Sequence, residues 1–176
     1  MAFAVLSYWA RATVGAALLL TAAWKWRNQA EFRSAYRAAS PQPVRGLAAV
    51  AAVATPLAEL LCAAALLVPG EIGRWATPLA LALLVLFTIA LTRVKDLTAG
   101  CGCWRSAPGP TNRNLFLARN LLLLTLAVVG SLGATSLELV QALAVLPMAA
   151  LFALIILELP TIGAMVLSER GERAAR

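Results

Sequence analysis

The sequence predicts an all-α polytopic membrane protein, and three observations carry that prediction. First, 61 % of the 176 residues are apolar and 13 % are charged, where a soluble globular chain has roughly 45–50 % apolar and about 25 % charged residues. A chain this short leaves much of its surface exposed when it folds alone, so this much apolar side chain needs lipid as part of its solvent. Second, five apolar stretches approach bilayer-spanning length: 2–24, 46–68, 75–92, 115–132 and 139–167. Third, none shows the two-residue alternation of a barrel strand, and an open strand edge cannot be satisfied in hydrocarbon. The spans are therefore helices.

The first stretch, Ala2–Trp24, is broken only by Arg11. Arg11 and the small residues Thr21-Ala22-Ala23 also fit a cleaved leader, but the residues before Arg11 are already apolar, unlike a basic leader. The second stretch carries Pro56 and Glu59. The third, Trp75–Thr92, has Pro78 in its first turn, where a missing N–H costs least. The fourth, Leu115–Leu132, has Arg119 and Asn120 near its start. The last, Leu139–Leu167, is long for one span, so it tilts or leaves the bilayer near Glu158. Pro56, Pro147 and Pro160 are expected to kink their helices.

The connections differ from one another. Residues 25–45 hold Lys25, Arg27, Arg33, Arg37 and Arg45. Phe32 and Tyr36 are four apart and share a face if Glu31–Ala39 is helical, which reads as a short interfacial helix with basic flanks. Residues 69–74 form a tight turn with Pro69, Gly70 and Gly73, and 133–138 another short turn. Residues 93–114 are the longest polar connection and hold Cys101-Gly102-Cys103-Trp104. The tail beyond Leu167 is polar and expected to fray.

The net charge is +7 and there is no histidine. Without histidine, Ser-His-Asp hydrolysis, Cys-His proteolysis, histidine zinc sites and histidine-ligated haem are excluded. No basic run has interleaved aromatics on a soluble fold, so nucleic acid is not the expected partner. The basic residues instead collect on one membrane face. With five spans, the connection 25–45, the Cys-containing connection (Arg93, Lys95, Arg105, Arg113) and the tail (Arg170, Arg173, Arg176) place twelve on one side, against Arg74 alone on the other. The positive-inside rule puts the N-terminus outside and the cysteine loop in the cytoplasm.

Cys101 and Cys103 are the sharpest chemical feature. Two thiols separated by one glycine can close a small strained disulfide, and strained exposed disulfides tend to be the labile ones. Arg105, and Lys95 less directly, favour the thiolate. The pair admits thiol–disulfide exchange, a soft-metal site, or two loop cysteines without chemistry; with three cysteines in all, it cannot fill a four-ligand structural zinc site. Glu59, deep in its helix, must face the bundle and pair or stay protonated. It reads either as the acceptor of a proton released by a thiol or as half of an ion pair with Arg11 or Arg119. Arg119 and Asn120 can orient an anionic or quinone-like group near the bilayer surface, or Arg119 can snorkel. Cys62, one turn beyond Glu59, reads as a small buried hydrophobe or as a second redox station.

The chain resembles the methylamine-utilisation MauE family, part of the wider DoxX-like group of small helical membrane proteins. The resemblance is spread over residues 6–130. It rests on Trp24-Lys25 with Phe32 and Tyr36 after it, Pro56-Leu57-Ala58-Glu59-Leu60, Phe87, Gly100-Cys101-Gly102-Cys103, and Ala118-Arg119-Asn120. It implies a four-helix membrane core over 1–135, which leaves 136–176 as a fifth transmembrane helix with a basic tail. It also implies a place in the bacterial inner membrane and a role, beside a thioredoxin-like partner, in maturing a disulfide-rich exported client. In the named member that client is the small subunit of methylamine dehydrogenase. Cys101 and Cys103 match the family's cysteine pair; Glu59, Arg119 and Asn120 match its recurrent polar positions. Trp104-Arg105 stand where the family usually has Phe-Gly, and Cys62 where it usually has glycine. An exported client suggests an external cysteine pair, against the charge count. A conduit that takes electrons from a cytoplasmic thiol donor to an external acceptor reconciles the two.

The expectation is thus a membrane thiol–disulfide oxidoreductase, with quinone as a candidate cofactor. A non-catalytic scaffold for a thioredoxin-like protein and a carrier of a soft metal or small thiol are the alternatives.

Overall fold

The computed structural model describes residues 2–39, 46–93, 113–133 and 139–174, so Cys101, Cys103, Trp104 and Lys95 lie outside the described residues. The described chain forms α1 (Ala2–Arg27), α2 (Gln29–Ala39), α3 (Ala48–Leu67), α4 (Glu71–Arg93), α5 (Arg113–Leu132) and α6 (Leu139–Ala174), with no strand among the described residues. Five of these are long and apolar enough to cross a membrane: α1, α3, α4, α5 and the Val140–Gly163 part of α6. The protein is an all-α multi-pass membrane protein.

α1 is the central helix. Its apolar window is 61 % buried, against 22 % to 39 % for the other four spans. The cause is in its sequence: Ala10, Ala12, Gly15, Ala17 and Ala22 give it a thin profile, which lets neighbouring backbones approach closely where lipid offers no hydrophobic drive. A Cβ added to Gly15 would lie 3.2 Å from the Leu66 Cβ of α3. α3 and α5 run antiparallel to α1, shown by the Tyr8 hydroxyl donating to the Leu67 carbonyl at 2.9 Å and the Ser7 hydroxyl to the Gly130 carbonyl at 3.1 Å. α6 runs parallel to α1, with the Trp9 and Phe152 rings 4.9 Å apart, and Ala153, Ile156 and Leu157 join the same core as Val14 and Leu18. Large apolar residues such as Leu61, Leu86, Leu121 and Val140 point outward, which is stable only with lipid around the bundle.

Four boundaries differ from the sequence reading. α1 runs past Trp24 to Arg27, and the backbone bonds Asn28 N–H to Trp24 O and Phe32 N–H to Asn28 O carry the turn into α2 almost without a break. The Asn28 side chain also donates to the Trp24 carbonyl at 2.9 Å, and this second donor marks the bend. Pro78 is not in a first turn: α4 already starts at Glu71, whose carboxylate suits a helix N-terminus, so Pro78 lies inside it. The tight turn is correspondingly shorter, with Gly73 buried within α4 and Gly70 alone at positive φ (96°) among the described residues. Finally, α6 runs through Pro147 and Pro160, and the tail expected to fray beyond Leu167 continues as helix to Ala174.

Arg11 belongs to the end of the bundle where α1 begins. Its guanidinium reaches the Val68 and Gly70 carbonyls at 3.5 Å each, just past the end of α3, and stacks 5.3 Å over Tyr8. A cation at a helix C-terminus satisfies orphan carbonyls and complements the dipole. Gly73 makes room for it: a Cβ there would lie 2.6 Å from the Val68 carbonyl and 2.8 Å from Arg11 Cζ. Gly73→Ala is therefore expected to push the α3–α4 turn off Arg11 at a cost on the order of 1–3 kcal/mol, seen as a lower Tm in detergent. Gly46→Ala, with nothing within 4 Å of the added carbon, should leave Tm unchanged.

Candidate functional site

The opposite end of the bundle holds an ion pair. Lys25, on the last turn of α1, and Glu59, the twelfth residue of α3, form a salt bridge between Nζ and Oε1 with side-chain exposures of 1 % and 0 %. α1 presents Arg11, Val14, Leu18, Thr21 and Lys25 at alternating spacings of three and four, which keeps them on one face. The antiparallel register then sets Thr21 and Lys25 level with Glu59. The Thr21 hydroxyl lies 3.5 Å from Glu59 Oε2, its proton also directed to the Leu18 carbonyl at 3.0 Å. Two aromatic rings enclose the ammonium: Phe87 of α4, with its centroid 4.3 Å from Nζ, and Phe32 of α2, at 5.4 Å. α2 is amphipathic for this purpose: Phe32 and Ala35 are buried while Glu31, Ser34 and Arg37 face outward.

The partner of Glu59 is thus Lys25, not Arg11 or Arg119. Arg11 is fourteen residues before Lys25 on the same helix, about 21 Å away at 1.5 Å per residue, and is engaged at the other end. Glu59 is central in α3 by count, yet it lies beside the last turns of α1, toward the end that α2 covers. The 3-4-3-4 spacing from Arg11 to Lys25 was the signal for this partner. Reading Lys25 as the first residue of a polar connection hid it.

Arg119 and Asn120 join the same place. Neither snorkels: they are 2 % and 3 % exposed. Asn120 donates to the Thr88 hydroxyl of α4 at 3.4 Å and accepts from Arg119 Nη2 at 3.3 Å. Thr88 in turn donates to the Leu84 carbonyl at 2.7 Å. Thr21, Lys25, Glu59, Arg119 and Asn120 are the polar lining of one small pocket of about 20 Å³, whose other walls include Val14, Leu84, Phe87 and Leu157. That volume holds about one water molecule. Arg119 and Asn120 carry donors that suit a quinone carbonyl or an anion.

Cys62 does not line the cavity. It is fully buried in the contact between α3 and α4, its thiol donating to the Ala76 carbonyl at 3.8 Å. It packs as a small apolar residue. Among the described residues no group of three or more His, Cys, Asp and Glu side chains is placed to hold a metal ion.

The cysteine loop leaves from this end. Its base is closed by Arg113, whose Nη2 donates to the Thr92 carbonyl at 2.6 Å and the Leu91 carbonyl at 3.2 Å. Phe87 is six residues before Arg93 and Asn120 seven after Arg113, so the cavity lies about 10 Å below the loop base.

A family model, Methylamine utilisation protein MauE, matches residues 3–133. The chain belongs to this family. The match takes in α1 to α5 and stops before α6, which nonetheless packs into the same core. No curated protein and no solved structure matches the chain. In this MauE-family protein the arrangement is a buried ion pair lining a small polar pocket at the end of the bundle where α4 ends and α5 begins.

Removing one member of a buried ion pair strands the other charge, at about 3–5 kcal/mol. Lys25→Met and Glu59→Gln should each lower Tm in detergent by a margin of that order. The double variant Lys25→Met/Glu59→Gln should recover most of the loss, because it leaves no unpaired charge from this pair. Denaturation of the three variants against the wild type measures this directly.

Proposed function

We propose that this MauE-family protein is an integral membrane thiol–disulfide redox protein that supports the maturation of an exported client beside a thioredoxin-like partner. Cys101 and Cys103 are the exchanging pair, and Lys25–Glu59 is the proton site that serves them. The observation that carries this reading is the burial of a complete ion pair at the end of the bundle from which the Cys-Gly-Cys loop emerges. Ionisable pairs are rare inside membrane proteins and concentrate where protons or ions move.

The exchange balances as follows. A thiolate of the pair attacks a disulfide sulfur of the partner, forming a mixed disulfide and expelling one partner thiolate. The second cysteine sulfur attacks the mixed disulfide, closes Cys101–Cys103 and expels the other. Two electrons pass to the partner, and the two protons given up by Cys101 and Cys103 end on its two thiols. Glu59 takes up a proton as a thiolate forms and returns it to a leaving sulfur, with Lys25 and its two aromatic walls holding the carboxylate in place. The reverse direction uses the same groups.

The same end carries α2, both roots of the cysteine loop and the distal part of α6, since Leu115 of α5 lies against Gly163 of α6. With Lys25 counted as interior, eleven of the twelve basic residues on that side remain available for the surface. This supports a cytoplasmic cysteine loop and an external N-terminus in the bacterial inner membrane.

Mass-shift labelling of whole cells with a membrane-impermeant maleimide tests both halves. After reductant and lysis, Cys101 and Cys103 should label; without reductant they should not, and intact cells should protect them. Labelling without reductant under oxidising conditions contradicts the redox pair, and labelling of intact cells contradicts the orientation. Cys101→Ser and Cys103→Ser should each abolish client maturation; full activity in both would favour a scaffold.

A further inference from the structure

The cavity contains an imbalance that the thiol chemistry does not use. Lys25 and Glu59 cancel one another, which leaves the Arg119 charge among the described residues that line it. Arg119 is 2 % exposed. Its Nη2 donates to Asn120, but its Nε and Nη1 are buried and have no hydrogen-bond partner among the described residues. Phe116, 5.4 Å from the guanidinium carbon, offers a ring face and no acceptor. A buried cation of this kind is costly unless an anion compensates it. A water molecule would satisfy the N–H groups, but it would not neutralise the charge.

We propose that the cavity is a binding site for one small monovalent inorganic anion of the chloride class, held by the free N–H groups of Arg119. The volume of about 20 Å³ sets the upper limit on size. It admits one water-sized particle, which favours a single small ion over a larger organic anion. The apolar walls, Val14, Leu84 and Leu157 among them, lower the local dielectric and so strengthen the interaction. The anion completes a polar cluster of Arg119, Asn120, Thr88 and the Lys25–Glu59 pair that spans four helices. Its expected effect is on stability at this end of the bundle, independent of whether Cys101 and Cys103 exchange electrons.

The test is thermal unfolding of the full chain in detergent, titrated with sodium chloride against sodium gluconate at constant ionic strength. A ligand that binds only the folded state raises stability with the logarithm of its concentration above Kd. Wild-type Tm should rise saturably with chloride, by several degrees, and stay flat in gluconate alone. Arg119→Gln keeps a hydrogen-bonding amide at this position and removes the charge. It should abolish the chloride dependence and, in gluconate, melt no lower than wild type. Equilibrium dialysis of the wild type with radiolabelled chloride should find one ion per chain, so the result does not rest on the variant folding. A wild-type Tm indifferent to chloride, an equal chloride response in Arg119→Gln, or no bound ion would each overturn the proposal and leave a water in the cavity.

Discussion

The salt bridge between Lys25 and Glu59 is the constraint around which this end of the molecule is arranged. Two charges withdrawn from water are tolerated only with good geometry and further polar contacts, and the structure supplies both from five directions. α1 gives the ammonium and Thr21, α3 the carboxylate, α2 and α4 the two aromatic walls, and α5 the neighbouring Arg119 and Asn120. The pair therefore fixes the register of α1 against α3 and gives α2 a reason to fold back through Phe32. The other end is organised by a cation too, but differently: among the described residues Arg11 has no carboxylate partner and gathers the carbonyls that end α3. One end holds a buried ion pair, the other ties off a helix.

Much of this was legible in the residues. The five spans followed from composition and length, and α2 followed from Phe32 and Tyr36 with basic flanks. Glu59, Arg119 and Asn120 stood out because polar side chains in apolar stretches must find partners, and all three now line one cavity. What composition and span length do not show is which partner each takes. Pairing Glu59 with an arginine assumed that Lys25 was outside the helix, and only the continuation of α1 to Arg27 brings it in. Pro78 misled for a related reason: the start of α4 is set by the Gly70 turn and Glu71, several residues ahead of the first long apolar run. The chemistry of the loop itself, Cys101 to Arg105, rests on spacing and on family membership, because those residues lie outside the described ones.

The size of the cavity also shapes the functional account. In the proposed scheme electrons pass between sulfur atoms, and this small pocket, with room for about one water, handles protons and charge. That division assigns a separate task to each polar residue. In that proposed scheme Cys101 and Cys103 exchange bonds, Lys25 and Glu59 handle the proton, and Arg119 governs what else can share the pocket. Cys62, sealed against Ala76, takes no part.

The most direct measurement uses the double variant Lys25→Met/Glu59→Gln, in which the charge pair is gone without stranding either partner. Its rate of exchange should be followed with two disulfides: an alkyl disulfide, whose leaving thiol must be protonated at neutral pH, and an aryl disulfide, whose acidic leaving thiol need not be. If the pair supplies the proton, exchange with the alkyl disulfide should fall by roughly 10²–10⁴, the usual worth of general acid–base catalysis, while the aryl disulfide reacts at a rate close to wild type. Wild-type rates with both disulfides would show that Lys25 and Glu59 only hold helices together, and would contradict the account.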